Sequence, residues 1–174
     1  LLPFARAGMP ILGIEPSCLV SLVDEYQEFR LGAAANTVAS AAFLLDSWIA
    51  DRGHVPALGL RSSAERVLVH GHCHQKAIFG VGGTLKALGR IPGIEVKELD
   101  SGCCGMAGSF GYERGHYELS VALANRVLVP AIQADPEATL AAPGFSCRSQ
   151  LQGVAQIKAI HPIQILAANL EDSG

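Results

Sequence analysis

The chain has 174 residues with 49% hydrophobic content, a formal net charge of -3 and a pI near 6.1. That is enough apolar material for a real core, and it provides neither the basic field that nucleic acid requires nor an acidic tail. The longest apolar stretch, residues 32–50, contains Asn36, Thr37, Ser40, Asp46 and Ser47, which excludes a bilayer span and fits a buried amphipathic helix.

In chain order, residues 1–7 read as the end of a helix closed by Gly8 and Pro10, and residues 11–14 as a short buried strand. Ser17 is the expected N-cap of the next helix, which puts Cys18 at its first position, in the positive end of the helix dipole. That helix carries Leu19, Val20, Leu22, Val23, Tyr26 and Phe29 on one broad face. Residues 32–51 have the clearest helical period in the chain, through Val38, Ala41, Ala42, Leu45, Trp48 and Ile49, with Gly53 as terminator. Residues 54–64, with Pro56 and Gly59, are the expected linker.

Beyond the linker, strands and helices alternate. Residues 66–70 form a β-branched strand leading into Gly71-His72-Cys73-His74-Gln75 and a helix through Leu88. Residues 94–99 are a second strand that delivers Cys103 and Cys104. Residues 117–134 are a long helix interrupted near its end by Pro130. Residues 138–142 are a third strand, followed by Cys147 and another helix; residues 157–160 are a last strand, and His161-Pro162 opens the closing helix. Such alternation predicts an α/β fold, a mostly parallel sheet flanked by helices, with the cysteines gathered at the carboxyl ends of the strands.

The cysteines carry the chemistry. Five is an odd count, and with no signal peptide it argues for reduced thiols in a cytoplasmic setting rather than a disulfide framework. Cys103 and Cys104 are adjacent, and neighbouring cysteines seldom bridge each other because the ring strains the peptide between them. Thiolates reaching separate positions on a metal or cluster explain the pair better. Gly102, Gly105 and Gly108 allow the backbone to fold closely around such a group. Twenty-nine residues separate Cys73 from Cys103, and 42 separate Cys104 from Cys147. Four thiolates suit an iron–sulfur cluster, and thiolates with histidine equally suit zinc. His72 and His74 flank Cys73 as candidate ligands or supporting donors, and His161 is a weaker candidate of the same kind. His54, His70 and His116 read as surface or strand residues. Gly80-Val81-Gly82-Gly83 lacks the lysine and hydroxyl of a phosphate loop, and no Gly-x-Ser-x-Gly elbow is present.

Five segments carry a family resemblance: Val69-His70-Gly71-His72-Cys73-His74-Gln75-Lys76, Leu99-Asp100-Ser101-Gly102-Cys103-Cys104-Gly105-Met106-Ala107-Gly108, Phe110-Gly111-Tyr112-Glu113, Ser146-Cys147-Arg148-Ser149-Gln150 and His161-Pro162. Together they resemble the cysteine-rich CCG domain found in heterodisulfide reductase, in the glycolate oxidase iron–sulfur subunit, in anaerobic glycerol-3-phosphate dehydrogenase and in the C-terminal portion of FAD-linked D-2-hydroxy-acid dehydrogenases.

The resemblance implies a CCG domain over residues 65–174, with residues 1–53 as the tail of a preceding CCG half plus a packing helix. The absence of an initiator methionine fits a piece of a longer polypeptide. The implied ligands are Cys73, Cys103, Cys104 and Cys147, holding an iron–sulfur cluster of the 4Fe-4S kind, with Cys18 spare. Gly144 stands where the family's closing CxxC has its first cysteine. The implied function is electron transfer from a flavin, carried on another part or partner, to an acceptor such as a quinone, and the implied location is cytoplasmic or peripheral at the inner face of the membrane. A zinc-binding structural or docking module without a redox role is the alternative, and a metal-free thiol or disulfide enzyme is a third.

Overall fold

The computed structural model describes residues 1–51 and 59–171, so Gly53 and residues 54–58 of the expected linker, His54 and Pro56 among them, lie outside the described residues. The fold is α/β and is built on two parallel sheets. The first half runs α1 (Leu2–Arg6), β1 (Ile11–Gly13), α2 (Pro16–Val20), a π-helical turn (Ser21–Glu25), α3 (Tyr26–Glu28), α4 (Ala33–Ser40), β2 (Ala42–Leu44) and α5 (Leu45–Asp51). The second runs β3 (Arg66–Val69), α6 (Cys73–Ile78), α7 (Gly82–Leu88), β4 (Glu95–Glu98), a 3₁₀ turn (Phe110–Tyr112), α8 (Tyr117–Arg126), α9 (Leu128–Gln133), β5 (Thr139–Ala141), α10 (Phe145–Ala155) and α11 (Pro162–Ala168).

In the larger sheet, β3 is central. It pairs in parallel with β4, Val67 opposite Val96, and with β5, Leu68 opposite Leu140. Period-two alternation sends its side chains to opposite faces. Val67 and Val69 pack with Leu88, Ile91 and Ile165 under α7 and α11. Leu68 packs on the other face with Leu128, Leu140 and Leu151 from α9, β5 and α10. Both faces are covered, which is why β3 reads as a continuous apolar run.

Several sequence expectations needed correction. Residues 32–51 are two helices separated by β2, because Ala42–Leu44 pairs in parallel with β1 and the Ile11 amide donates to the Ala41 carbonyl at 2.7 Å. Pairing partners distant in sequence override a helical period that is real but local. Glu15, not Ser17, is the N-cap of α2, with Pro16 at the first helical position, so Cys18 lies two residues deeper than expected and is exposed. The helix after Cys73 breaks at Gly80, whose φ of +73° is left-handed, and restarts as α7. The interruption by Pro130 falls earlier, at Val127 (φ -140°), because the proline ring cannot tolerate the carbonyl of Arg126 one turn back. Of the expected strand 157–160, Ile160 alone joins the sheet, through a parallel bridge to Ala141. Among the described residues, no helix is long and apolar enough to cross a membrane.

A buried polar chain fastens the two halves together. Asp46 of α5 accepts from Thr84 Oγ1 at 2.5 Å, and Thr84 accepts from Gln75 Nε2 at 2.7 Å, tying α5 and α7 to the helix that begins with Cys73. Gly83 permits the close approach, since a Cβ there would lie 2.8 Å from Ser47 Cα. Gly83→Ala is therefore expected to cost about 1–3 kcal/mol of stability in urea denaturation. A loss below about 0.5 kcal/mol would show that α5 is not seated on α7 as described.

Candidate metal centre

Each cysteine of the second half follows a strand. Cys73 opens α6 after β3, Cys103 and Cys104 lie in the loop after β4, and Cys147 sits in the first turn of α10 after β5. Local contacts fix each of them. His72 caps α6, its Nδ1 accepting the His74 amide at 3.2 Å. Arg148 Nη1 donates to the carbonyls of Ala142 and Pro143 at 2.7 and 2.6 Å and holds the start of α10 against the end of β5. Lys76 Nζ reaches across from α6 to the Gly102 carbonyl at 2.6 Å and braces the double-cysteine loop.

That loop is pressed onto α8. Gly105 has φ of +89°, and a Cβ on it would collide with the Ser120 carbonyl, so a side chain is excluded on both counts. Gln150 of α10 donates to Ser120 Oγ at 2.7 Å and to its carbonyl at 3.1 Å, which locks the Cys147 helix to the same point.

The result is a file of interacting sulfurs: Cys73 beside Cys103, Cys103 beside Cys104, Cys104 beside Cys147. Cys104 and Cys147 are buried, while Cys73 and Cys103 are half-buried. The thiols perturb one another in opposite directions along the file. Cys103 is held far below the usual thiol range by hydrogen bonds from Cys104 and Cys73, with help from the Gly105 amide 3.3 Å away. Cys147 is drawn down to about 5, chiefly by the Cys104 thiol and then by His70, against the opposing effect of burial. Cys73 and Cys104 are pushed upward because each donates to charged Cys103 and is partly desolvated. Neighbouring thiols that share protons in this way form an arrangement that a cation can complete by displacing the protons.

The sequence reads His70 as a surface or strand residue; it does continue β3, but it does not lie at the surface. It is 1% exposed, and a ring nitrogen of His70 lies within 4.8 Å of the sulfurs of Cys104 and Cys147, which lie equally close to each other. The missed signal was the alternation along β3, in which residue 70 shares the face of Leu68 rather than that of Val69. His72 is buried and His74 exposed, their rings meeting edge-on at 5.3 Å because the chain turns into α6 between them. His161 caps α11, with Nδ1 accepting the Ile163 amide at 3.1 Å and Nε2 donating to the Ile14 carbonyl at 2.8 Å, so both of its nitrogens are engaged. Gly102, Gly105 and Gly108 all have positive φ. At Gly144 an added Cβ would meet the His72 ring and lie 3.2 Å from Cys147 Sγ; imidazole fills the space beside Cys147.

A cavity of about 290 Å³ opens beside Cys73, lined by Ser17, His72, His74, Ala107, Gly108 and Ser146. A larger cleft of about 600 Å³ between α1 and α4 offers only Asn36, Thr37 and Ser40 as polar side chains and has no metal-binding group.

Comparison with known proteins agrees with a redox context. The chain is 31% identical over 163 residues to the D-2-hydroxyglutarate dehydrogenase of Pantoea ananatis, covering 93% of this chain and 16% of the relative. It is 29% identical to the Escherichia coli protein of the same name over the same shares of each chain. It is also 29% identical over 166 residues to one subunit of the anaerobic glycerol-3-phosphate dehydrogenase of Escherichia coli, covering 94% of this chain and 41% of that polypeptide. No protein-family model matches. The chain is a homologue of one segment of these dehydrogenase polypeptides and spans less than half the length of each.

The charge pattern predicts reactivity. In protein stripped of metal, iodoacetamide at about pH 6.5 is expected to modify Cys103 before the exposed Cys18, since the thiolate is the nucleophile. Peptide mass spectrometry over a time course reads the order, and earlier modification of Cys18 would contradict the assignment of the charge to Cys103.

Proposed function

We propose that Cys73, Cys103, Cys104 and Cys147 hold an iron–sulfur cluster of the 4Fe-4S kind and that the chain is the electron-transfer module of a flavin-dependent D-2-hydroxy-acid dehydrogenase. The reading is carried by the meeting of four sulfurs from three separate loops in one file, with a buried imidazole at one end. When bound, such a cluster accepts and releases single electrons.

The residues of this chain supply the conditions. Cys104 and Cys147 give the site a dry side, while half-buried Cys73 opens toward the 290 Å³ cavity and Cys103 is also partly exposed. Electrons enter and leave most readily on the open side, and the degree of exposure there helps to set the potential. The Gly105 amide already donates to Cys103 Sγ, a bond of the kind that stabilises charge on a ligating sulfur.

Substrate oxidation is assigned to a flavin, as FAD, on another part of the polypeptide or on a partner protein. Two kinds of relative named for different substrates, a 2-hydroxy acid and a glycerol phosphate, share the segment that this chain represents. A segment common to both fits the handling of electrons better than the choice of substrate. The acceptor is proposed to be a quinone or a comparable carrier.

Protein purified without oxygen is expected to be brown, with iron and sulfide in stoichiometric amounts. Cys103→Ser and Cys104→Ser are each expected to reduce both by about tenfold or more, whereas Cys18→Ser leaves them unchanged. In the complete enzyme the same two variants should lose acceptor reduction while substrate still bleaches the flavin. Colourless protein carrying one zinc, unaltered by cluster reconstitution, would replace this reading with a structural or docking role for the metal.

A further inference from the structure

We propose that His70 is itself a ligand of the group held by the four cysteines, with Nε2 as the donor atom and Ser101 as the residue that positions the ring. The inference rests on the cluster reading above and extends it to a side chain outside the cysteine pattern.

His70 continues the register of β3, its amide donating to the Ala141 carbonyl at 2.9 Å, so its Cα is fixed by the central strand of the sheet. Its ring is fixed as well. Nδ1 lies 2.6 Å from Ser101 Oγ, and Ser101 in turn donates to the Leu99 carbonyl at 3.3 Å. The bond to Ser101 occupies Nδ1, which leaves Nε2 as the ring's remaining donor atom.

That Nε2 is buried and bonds to no nitrogen or oxygen atom; the group it adjoins is the Cys147 thiol, which it helps to draw down. A buried ring nitrogen that meets only sulfur is weakly satisfied, and a side chain held this firmly cannot turn away to relieve it. The ring stands within 4.8 Å of the Cys104 and Cys147 sulfurs, a span that one ion or one edge of a cluster can bridge. A hydrogen bond from the second ring nitrogen is also the usual support of a metal-bound imidazole.

The neighbouring histidines are placed differently. His72 uses Nδ1 to cap α6, and His161 uses both nitrogens on backbone groups. His116 pairs with Glu113 on the surface, and His74 is exposed at the cavity. A neutral nitrogen, where His70→Cys would put a thiolate, leaves the site less negative and raises the potential, as in Rieske centres.

The test uses protein loaded with iron and sulfide in the absence of oxygen, prepared with natural or heavy-nitrogen histidine, reduced and studied by pulsed EPR. Expected are a histidine nitrogen coupling that changes with the isotope, its survival in His72→Gln and His74→Gln, and its loss in His70→Cys. His70→Cys should retain iron and sulfide and show a midpoint potential shifted to lower values. Should His70→Cys fail to fold, the wild type and the two glutamine variants still decide the matter. Iron-loaded wild type with no histidine coupling, or a coupling lost in His72→Gln or His74→Gln, overturns the role of His70 and leaves the cluster reading standing. Wild type that takes up no iron and sulfide overturns the cluster reading itself, and this inference with it.

Discussion

The site depends on the pairing of β3 in parallel with a neighbour on each side. Parallel strands cannot be joined by a tight turn; each must be followed by a crossover before the next can pair. The loops that begin those crossovers all leave the sheet from the same end. Cys73, the Cys103 and Cys104 pair, and Cys147 each lie on such a loop or in the helix it leads into, so residues far apart in sequence come into contact. Burial of both sheet faces makes this arrangement stiff, with Val67 and Val69 committed to one side and Leu68 to the other.

The stiffness has an electrostatic consequence. Four sulfurs in one partly buried file cannot all ionise without strong mutual repulsion, and each thiol shifts the proton affinity of its neighbour. Loops free to move would separate the charges or turn them toward water. Here Lys76, Arg148, Gln150 and Gly105 hold the loops in place by bonds that do not involve the thiols, apart from the amide of Gly105. The protein therefore maintains a set of donors whose charges oppose one another, which is the condition under which a bound cation contributes most.

The first half of the chain supports this site from outside. The chain Asp46–Thr84–Gln75 runs into α6, and the Glu15 carboxylate accepts the Phe145 amide at 2.7 Å at the start of α10. Both helices that carry a single cysteine of the site are thus anchored by residues of the first half. Cys18 lies nearby in sequence to these anchors and is exposed.

The sequence by itself determined four of the five described strands, the α/β alternation and the placing of Cys73, Cys103, Cys104 and Cys147 after strands, because strand burial and cysteine spacing are written in residue type and order. It also left visible traces of the breaks at Gly80 and Pro130, though it misplaced the second by three residues. Tertiary structure alone decided that Ala42–Leu44 would leave a helix to pair with β1, since the hydrogen-bonding partner lies some thirty residues away. It alone decided that Glu15 rather than Ser17 would cap α2, and that imidazole would stand beside Gly144. His70 is the sharpest case. Nothing in a histidine at the end of an apolar strand tells whether it meets water or a sulfur; the face of β3 on which it falls, and the loop that closes over that face, settle it.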